Sequence, residues 1–211
     1  MSHGLRVDPA YRITSDAELD QHYGQPVKAA LIKEIDHLSP HYQAFVAKAP
    51  FVMVATVGDG GMDCSPRGDP AGFVRVHDEK TLLLPDRRGN NRLDTLRNLV
   101  HDPRISLLFL IPGVGETLRI NGRASIITEP GIRESFSMQG RVPASVLEVT
   151  IDRTYFQCQK ALVRSKLWSA DAQIERKELP STGQMLQVLA PDFDGDAYDQ
   201  NYPQRLKESI Y

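Results

Sequence analysis

Cysteine is nearly missing from this chain: Cys64 and Cys158 are the only two in 211 residues. They stand far apart and outside any metal-ligand spacing. No disulfide framework or zinc-type cluster is indicated, and two reduced thiols in a cytoplasmic protein are expected. No apolar run approaches the ~20 residues that a membrane helix requires. The longest, Ile105 to Ile111, has strand length. The N-terminus lacks the charged-then-apolar layout of a signal peptide. An excess of either charge is missing too. The formal net charge is −2, so nothing global argues for a nucleic-acid or membrane partner. Charge is concentrated locally instead, in the arginines from Arg87 to Arg97.

The length suits one well-filled core. No repeat or low-complexity linker divides the chain, so a single domain over 1–211 is expected. It would have a helical arm at 1–48, a β-barrel core at 49–170 and a C-terminal segment at 171–211. In the arm, Ser15 and Asp16 suit a helix start, because their side chains accept orphan first-turn amides. Pro26 suits the start of a second helix and Ser39-Pro40 the start of a third. From Phe51 the period changes. The β-branched run Phe51 to Val57 reads as a buried strand and Gly58-Asp59-Gly60-Gly61 as a tight turn. Met62–Ser65, Phe73–His77, Thr81–Leu84, Arg104–Ile111, Glu116–Thr128 and Val146–Ile151 read as further strands. Asn91 to His101 has helical spacing in Leu93, Leu96, Leu99 and Val100. Phe156 to Trp168 also reads as helical, and the tail after Pro180 as polar and then turn-rich. Most of these strands fall into adjacent hairpin-like pairs. That pairing favours an antiparallel sheet able to form a small barrel.

Four segments carry chemistry. Leu84-Pro85 runs into Asp86-Arg87-Arg88-Gly89-Asn90-Asn91-Arg92. A phosphate monoester seeks guanidinium forks and free amides, and a helix start offers amides with a favourable dipole. Asn91 suits an N-cap, with Asp94 completing a capping-box-like pair, and Gly89 lets the backbone bend closely around an anion. Taken alone, the loop reads first as a strand-to-helix connector whose arginines are solvated, with an anion site as the alternative. In Cys64-Ser65-Pro66-Arg67-Gly68-Asp69, Arg67 offers a second fork and Ser65 a hydroxyl; alternatively Arg67 pairs with Asp69. In Thr117-Leu118-Arg119-Ile120-Asn121-Gly122, alternation puts Thr117, Arg119 and Asn121 on one face, lining a groove or facing solvent. Lys160, Arg164 and Trp168 recur at four-residue intervals, suited to a flat anionic ligand, a partner subunit or a plain surface helix.

In these segments the chain resembles the pyridoxamine 5'-phosphate-oxidase-like, FMN-binding split-barrel superfamily, in a subgroup of FMN-dependent enzymes. The resemblance spans roughly Ser39 to Trp168. It implies a mainly β fold with helices, a six-stranded antiparallel split β-barrel. It also implies a homodimer with FMN in clefts between subunits. Asn90, Asn91 and Arg92 would grip the phosphate with Arg67 and Ser65. Leu84 and Pro85 would run beside the ring system, and Thr117 would hydrogen-bond it. Lys160, Arg164 and Trp168 would come from the other subunit. Asn-Asn-Arg replaces the Ser-Arg-Lys usual in the oxidase itself. The tail Arg205-Leu206-Lys207-Glu208 lacks the oxidase's substrate-handling histidine, which argues against vitamin B6 oxidation. The expected function is FMN-dependent oxidation or reduction of a small organic substrate, with no catalytic side chain assigned. The rivals are a non-catalytic flavin- or haem-binding carrier or sensor, and a deazaflavin-dependent reductase on the same fold.

Overall fold

A computed structural model describes residues 6–211, and the first five residues of the expected arm lie outside that range. The described residues form two compact units, one ending at Glu34 and the other spanning Ile35–Tyr211. In the first, α1 (Asp16–His22) starts where the sequence places it. Ser15 accepts from the Glu18 amide, and the Glu18 carboxylate returns to the Ser15 backbone. This reciprocal cap satisfies two otherwise orphaned donors. A second helix, α2 (Lys28–Ile32), follows two residues after Pro26.

The second unit opens with α3 (Pro40–Lys48), capped by Ser39 with proline at its first turn. Then come β1 (Phe51–Gly58), β2 (Gly61–Gly68), β3 (Arg75–Asp78) and β4 (Thr81–Asp86), followed by α4 (Asp94–His101). After it run β5 (Arg104–Leu110), β6 (Thr117–Ile127), α5 (Pro130–Ser135) and β7 (Ser145–Gln157). The C-terminal part holds α6 (Lys160–Ser165), α7 (Thr182–Leu189) and α8 (Gly195–Ser209). Seven strands, against the six expected, form one sheet in the order β2-β1-β5-β6-β7-β4-β3. Each named pairing is antiparallel. No ladder joins β2 to β3, so the sheet is open between its two end strands.

Alternation builds the core. Val52 and Val54 of β1, Ile105, Leu107 and Phe109 of β5, and Leu118 and Ile120 of β6 all point to one buried face. Leu82 and Leu84 of β4 and Val149 and Ile151 of β7 continue it, with Val46 of α3 and Leu99 of α4 packed against it. Each such side chain contributes about 1.5–3 kcal/mol by leaving water. The Asn98 side chain of α4 donates to Thr56 of β1 at 3.1 Å, which pins the helix to the sheet.

Several boundaries differ from the sequence reading. Helix α4 begins at Asp94 rather than Asn91. Its N-cap is Leu93, in the left-handed region and without a side-chain cap, so Asn91 and Asp94 form no capping box. Strand β7 runs on to Gln157, and α6 covers only Lys160–Ser165. The tail, read as polar after Pro180 and turn-rich from Pro191, carries α7 in the first part and α8 in place of the turns. Among the described residues, no helix is long and apolar enough to cross a membrane.

Candidate functional site

The sheet brings β2, the β4–α4 loop and the β7 approach to one place. Between them lies a cavity of about 1270 Å³, above the ~300–1,000 Å³ typical of small-ligand sites. Six arginines line it (Arg67, Arg87, Arg88, Arg92, Arg133 and Arg141) against the three carboxylates Asp69, Asp86 and Asp94. The excess of cations suits an anionic ligand.

Arg67 comes from β2. One of its amino groups donates to the Pro66 carbonyl at 3.0 Å and the other to Thr95 Oγ1 at 3.2 Å. The β4–α4 loop delivers Asn90, Asn91 and Arg92. The Asn90 side chain accepts from the Arg92 amide at 3.0 Å, which sets the loop's bend. Backbone freedom was expected at Gly89, but the left-handed residues are Asn91 (φ 60°) and Leu93 (φ 62°). For Leu93 this conformation costs roughly 1–2 kcal/mol, and such strain clusters at functional sites. It turns the chain so that Asp94, Thr95 and Leu96, the first turn of α4, border the cavity. First-turn amides have no helical partner, and here no side chain caps them. Arg92 bonds the Asp94 carboxylate, and that bond, with Asp63 nearby, raises the arginine's pKa.

Asp69 pairs with Arg87 and not with Arg67. Its buried carboxylate accepts from Arg87 Nε at 2.7 Å and from the Tyr211 hydroxyl at 2.8 Å. That hydrogen bond pushes the Tyr211 phenol up. Arg87 also donates to the Phe136 carbonyl at 2.6 Å. Arg87 is therefore a wall element, with its charge offset. The lining also includes the apolar residues Ile210, Val142, Pro143 and Ala144. Cationic and apolar side chains in one cavity suit a ligand with an anionic group and a planar ring body.

Asp86 lines the same cavity at the end of β4. Burial raises its carboxyl pKa from the ordinary 3.8, while Arg67 pulls the other way. An acid whose pKa is raised in the fold stabilises most when protonated, and that contribution is lost as pH rises through the raised value. Asp86→Asn is therefore expected to raise the thermal midpoint at pH 7. The gain should shrink as the pH falls toward 3.8 and below, which a series of melting curves would read out.

Of the residues singled out from sequence, the cavity collects Ser65, Arg67, Asn90, Asn91 and Arg92. The others lie outside its lining. Leu84 and Pro85 are buried in β4, and Thr117 is buried at the start of β6. Lys160 and Arg164 are exposed on α6. Trp168 does not share their helical face: it lies beyond the end of α6, and its Nε1 donates to the Val114 carbonyl at 2.8 Å. The sequence reading passed over Asp63, Thr95, Arg133, Arg141 and Tyr211. Only Arg141, in a Gly-Arg-Val-Pro turn, carried a local signal. Among the described residues, no cluster of His, Cys, Asp or Glu could hold a metal ion.

Comparison with known proteins follows the same lines. A family model described as pyridoxamine 5'-phosphate oxidase matches residues 38–158. A search of curated proteins finds no match. Among solved structures, HupZ of Group A Streptococcus is 24% identical over 56% of this chain and 91% of its own, with a TM-score of 0.46. A Clostridium acetobutylicum protein related to general stress protein 26, of the pyridoxinephosphate oxidase family, is 18% identical over 56% of this chain and 86% of its own, at 0.44. An FMN-binding protein from Syntrophomonas wolfei is 13% identical over 54% and 82%, at 0.43.

Proposed function

This chain belongs to the pyridoxamine 5'-phosphate oxidase family, and from that premise we propose that it is a cytoplasmic FMN-dependent oxidoreductase acting on a small organic substrate. One observation carries the reading. Arg67, the Asn90–Arg92 loop and the uncapped first turn of α4, from three separate elements, converge on one cavity. The donor set has the chemistry of a phosphate-monoester site, and a cavity of about 1270 Å³ has room for a three-ring system.

The residues divide the work accordingly. Arg67 and Arg92 neutralise the phosphate, and the α4 amides orient it. The walls near Val142, Pro143 and Tyr211 would flank the ring body. FMN, when bound, supplies hydride chemistry at its ring, so the chain needs no acid–base side chain for that transfer. Vitamin B6 oxidation is not part of the proposal, because the tail lacks the substrate-handling histidine.

A homodimer belongs to the same reading. The outward side chains of β1 and β5 include Phe51 opposite Leu110 and Met53 opposite Leu108. This half-buried apolar strip suits a second copy of the chain. In such a dimer the exposed Lys160 and Arg164, with Trp168, would face the other copy's cleft. Leu84, Pro85 and Thr117 would lie behind the ring.

The test is steady-state oxidation of NADH and NADPH by the FMN-loaded protein. Many turnovers per flavin, faster than free FMN at equal concentration, are expected. A protein that holds FMN yet adds nothing to the free flavin's rate would be a carrier or sensor.

A further inference from the structure

Two hydroxyls border the cationic lining of the cavity, and neither has a proton left for an anion. Ser65 Oγ donates to Asp63, 3.1 Å from each carboxylate oxygen. Thr95 Oγ1 donates to Asp63 Oδ2 at 2.6 Å. Thr95 then accepts from Arg67 Nη2 at 3.2 Å. A hydroxyl has a single proton. With both protons directed at Asp63, Ser65 and Thr95 can turn only lone pairs toward the cavity, and lone pairs repel a phosphate oxygen. Asp63 does not itself line the cavity. Its charge nevertheless reaches the site, since it acts electrostatically on Arg92.

A site shaped for the tightest grip would aim those hydroxyls at the ligand. Here one carboxylate withdraws two donors and adds a negative charge beside the arginines. We propose that Asp63 is a positioning residue that weakens the hold on the cofactor's phosphate, so that FMN exchanges with solution rather than staying permanently bound. The inference rests on the reading of the cavity as an FMN site. Asp63 lies half-buried on the end strand β2, where a neutral side chain can be accommodated without opening the core.

The experiment compares FMN with riboflavin, which lacks only the phosphate. Dissociation constants are measured by flavin fluorescence for the wild-type protein, Asp63→Asn and Asp63→Ser. Both variants should bind FMN more tightly, by about tenfold, as expected for removing a like charge and releasing hydroxyl donors near an anion. Riboflavin affinity should stay within about twofold, and FMN should leave the variants more slowly on dilution. A merely structural role would move both ligands together. If both variants bind FMN no more tightly than wild type, or if riboflavin shifts in parallel, the proposal is overturned. Wild-type protein that does not prefer FMN to riboflavin would refute the cofactor reading itself, and the role of Asp63 with it.

Discussion

Protein carrying Arg67→Ala and Arg92→Ala together will lose FMN far more readily than riboflavin. Hydrogen bonds to charged groups are each worth about 1.5–3 kcal/mol. Arg92 is exposed and already shares its charge with Asp94, so solvent screens it and its part should be the smaller. Arg67 is half-buried and anchored through Thr95, so its part should be larger. The pair is expected to cost about a hundredfold or more in FMN affinity. Riboflavin meets the same walls without the phosphate and should change little. Equal losses for the two ligands would show that the double variant had damaged the cavity as a whole, and the assignment of its cationic lining would fall. Raised salt should mimic part of the effect in the wild-type protein, because the loop is open to solvent.

A second variant is expected to act on the fold rather than the ligand. Gly122 ends the Thr117–Gly122 motif, and there the ladder between β6 and β7 slips. Asn121 stands opposite Arg153, but Gly122 stands opposite Ile151, so β7 bulges by one residue. A Cβ at position 122 would sit 2.0 Å from the Thr150 carbonyl oxygen and 3.0 Å from its carbon. Both are backbone atoms in the middle of the sheet's longest ladder, and no side chain can swing away to make room. Gly122→Ala should therefore destabilise by about 3 kcal/mol or more. For a chain of this size that is a fall of about 10 °C in the melting midpoint. Calorimetry or urea unfolding would read it. An unchanged midpoint would mean that β6 and β7 do not meet in this register. The glycine of this motif thus serves the approach of two backbones, while the polar stripe beside it is separate: Asn121 accepts from Ser106 at 2.7 Å.

The strands were legible because alternation is a local property. In Phe51–Gly58 and Arg104–Leu110 every second side chain is buried, and that pattern needs no knowledge of the partner strand. The starts of α1 and α3 were legible for the same reason: serine caps act over three residues. The start of α4 was not, since Asn91 has the better capping chemistry but lies two residues before the N-cap position. Leu93, which has no capping side chain, takes the N-cap position once the loop has bent through two left-handed residues. Helix α8 was hidden by Pro203, which stands inside it and reads in sequence as a stop.

The alternation and the change of period at Phe51 were enough to read an antiparallel β protein, and the Arg-rich Asn-Asn-Arg loop was enough to single out a candidate site. Those features depend on neighbours along the chain, where covalent geometry sets the distances. Which charges remain available to a ligand is settled by groups that meet across the fold. Asp63 meets Thr95 at a separation of 32 residues, and Asp69 meets Tyr211 at 142. Hydrogen bonds need contact within about 3.5 Å, and exposed charges are screened beyond about 10 Å. Such pairs exist only after the sheet has closed the intervening space, and no local pattern announces them.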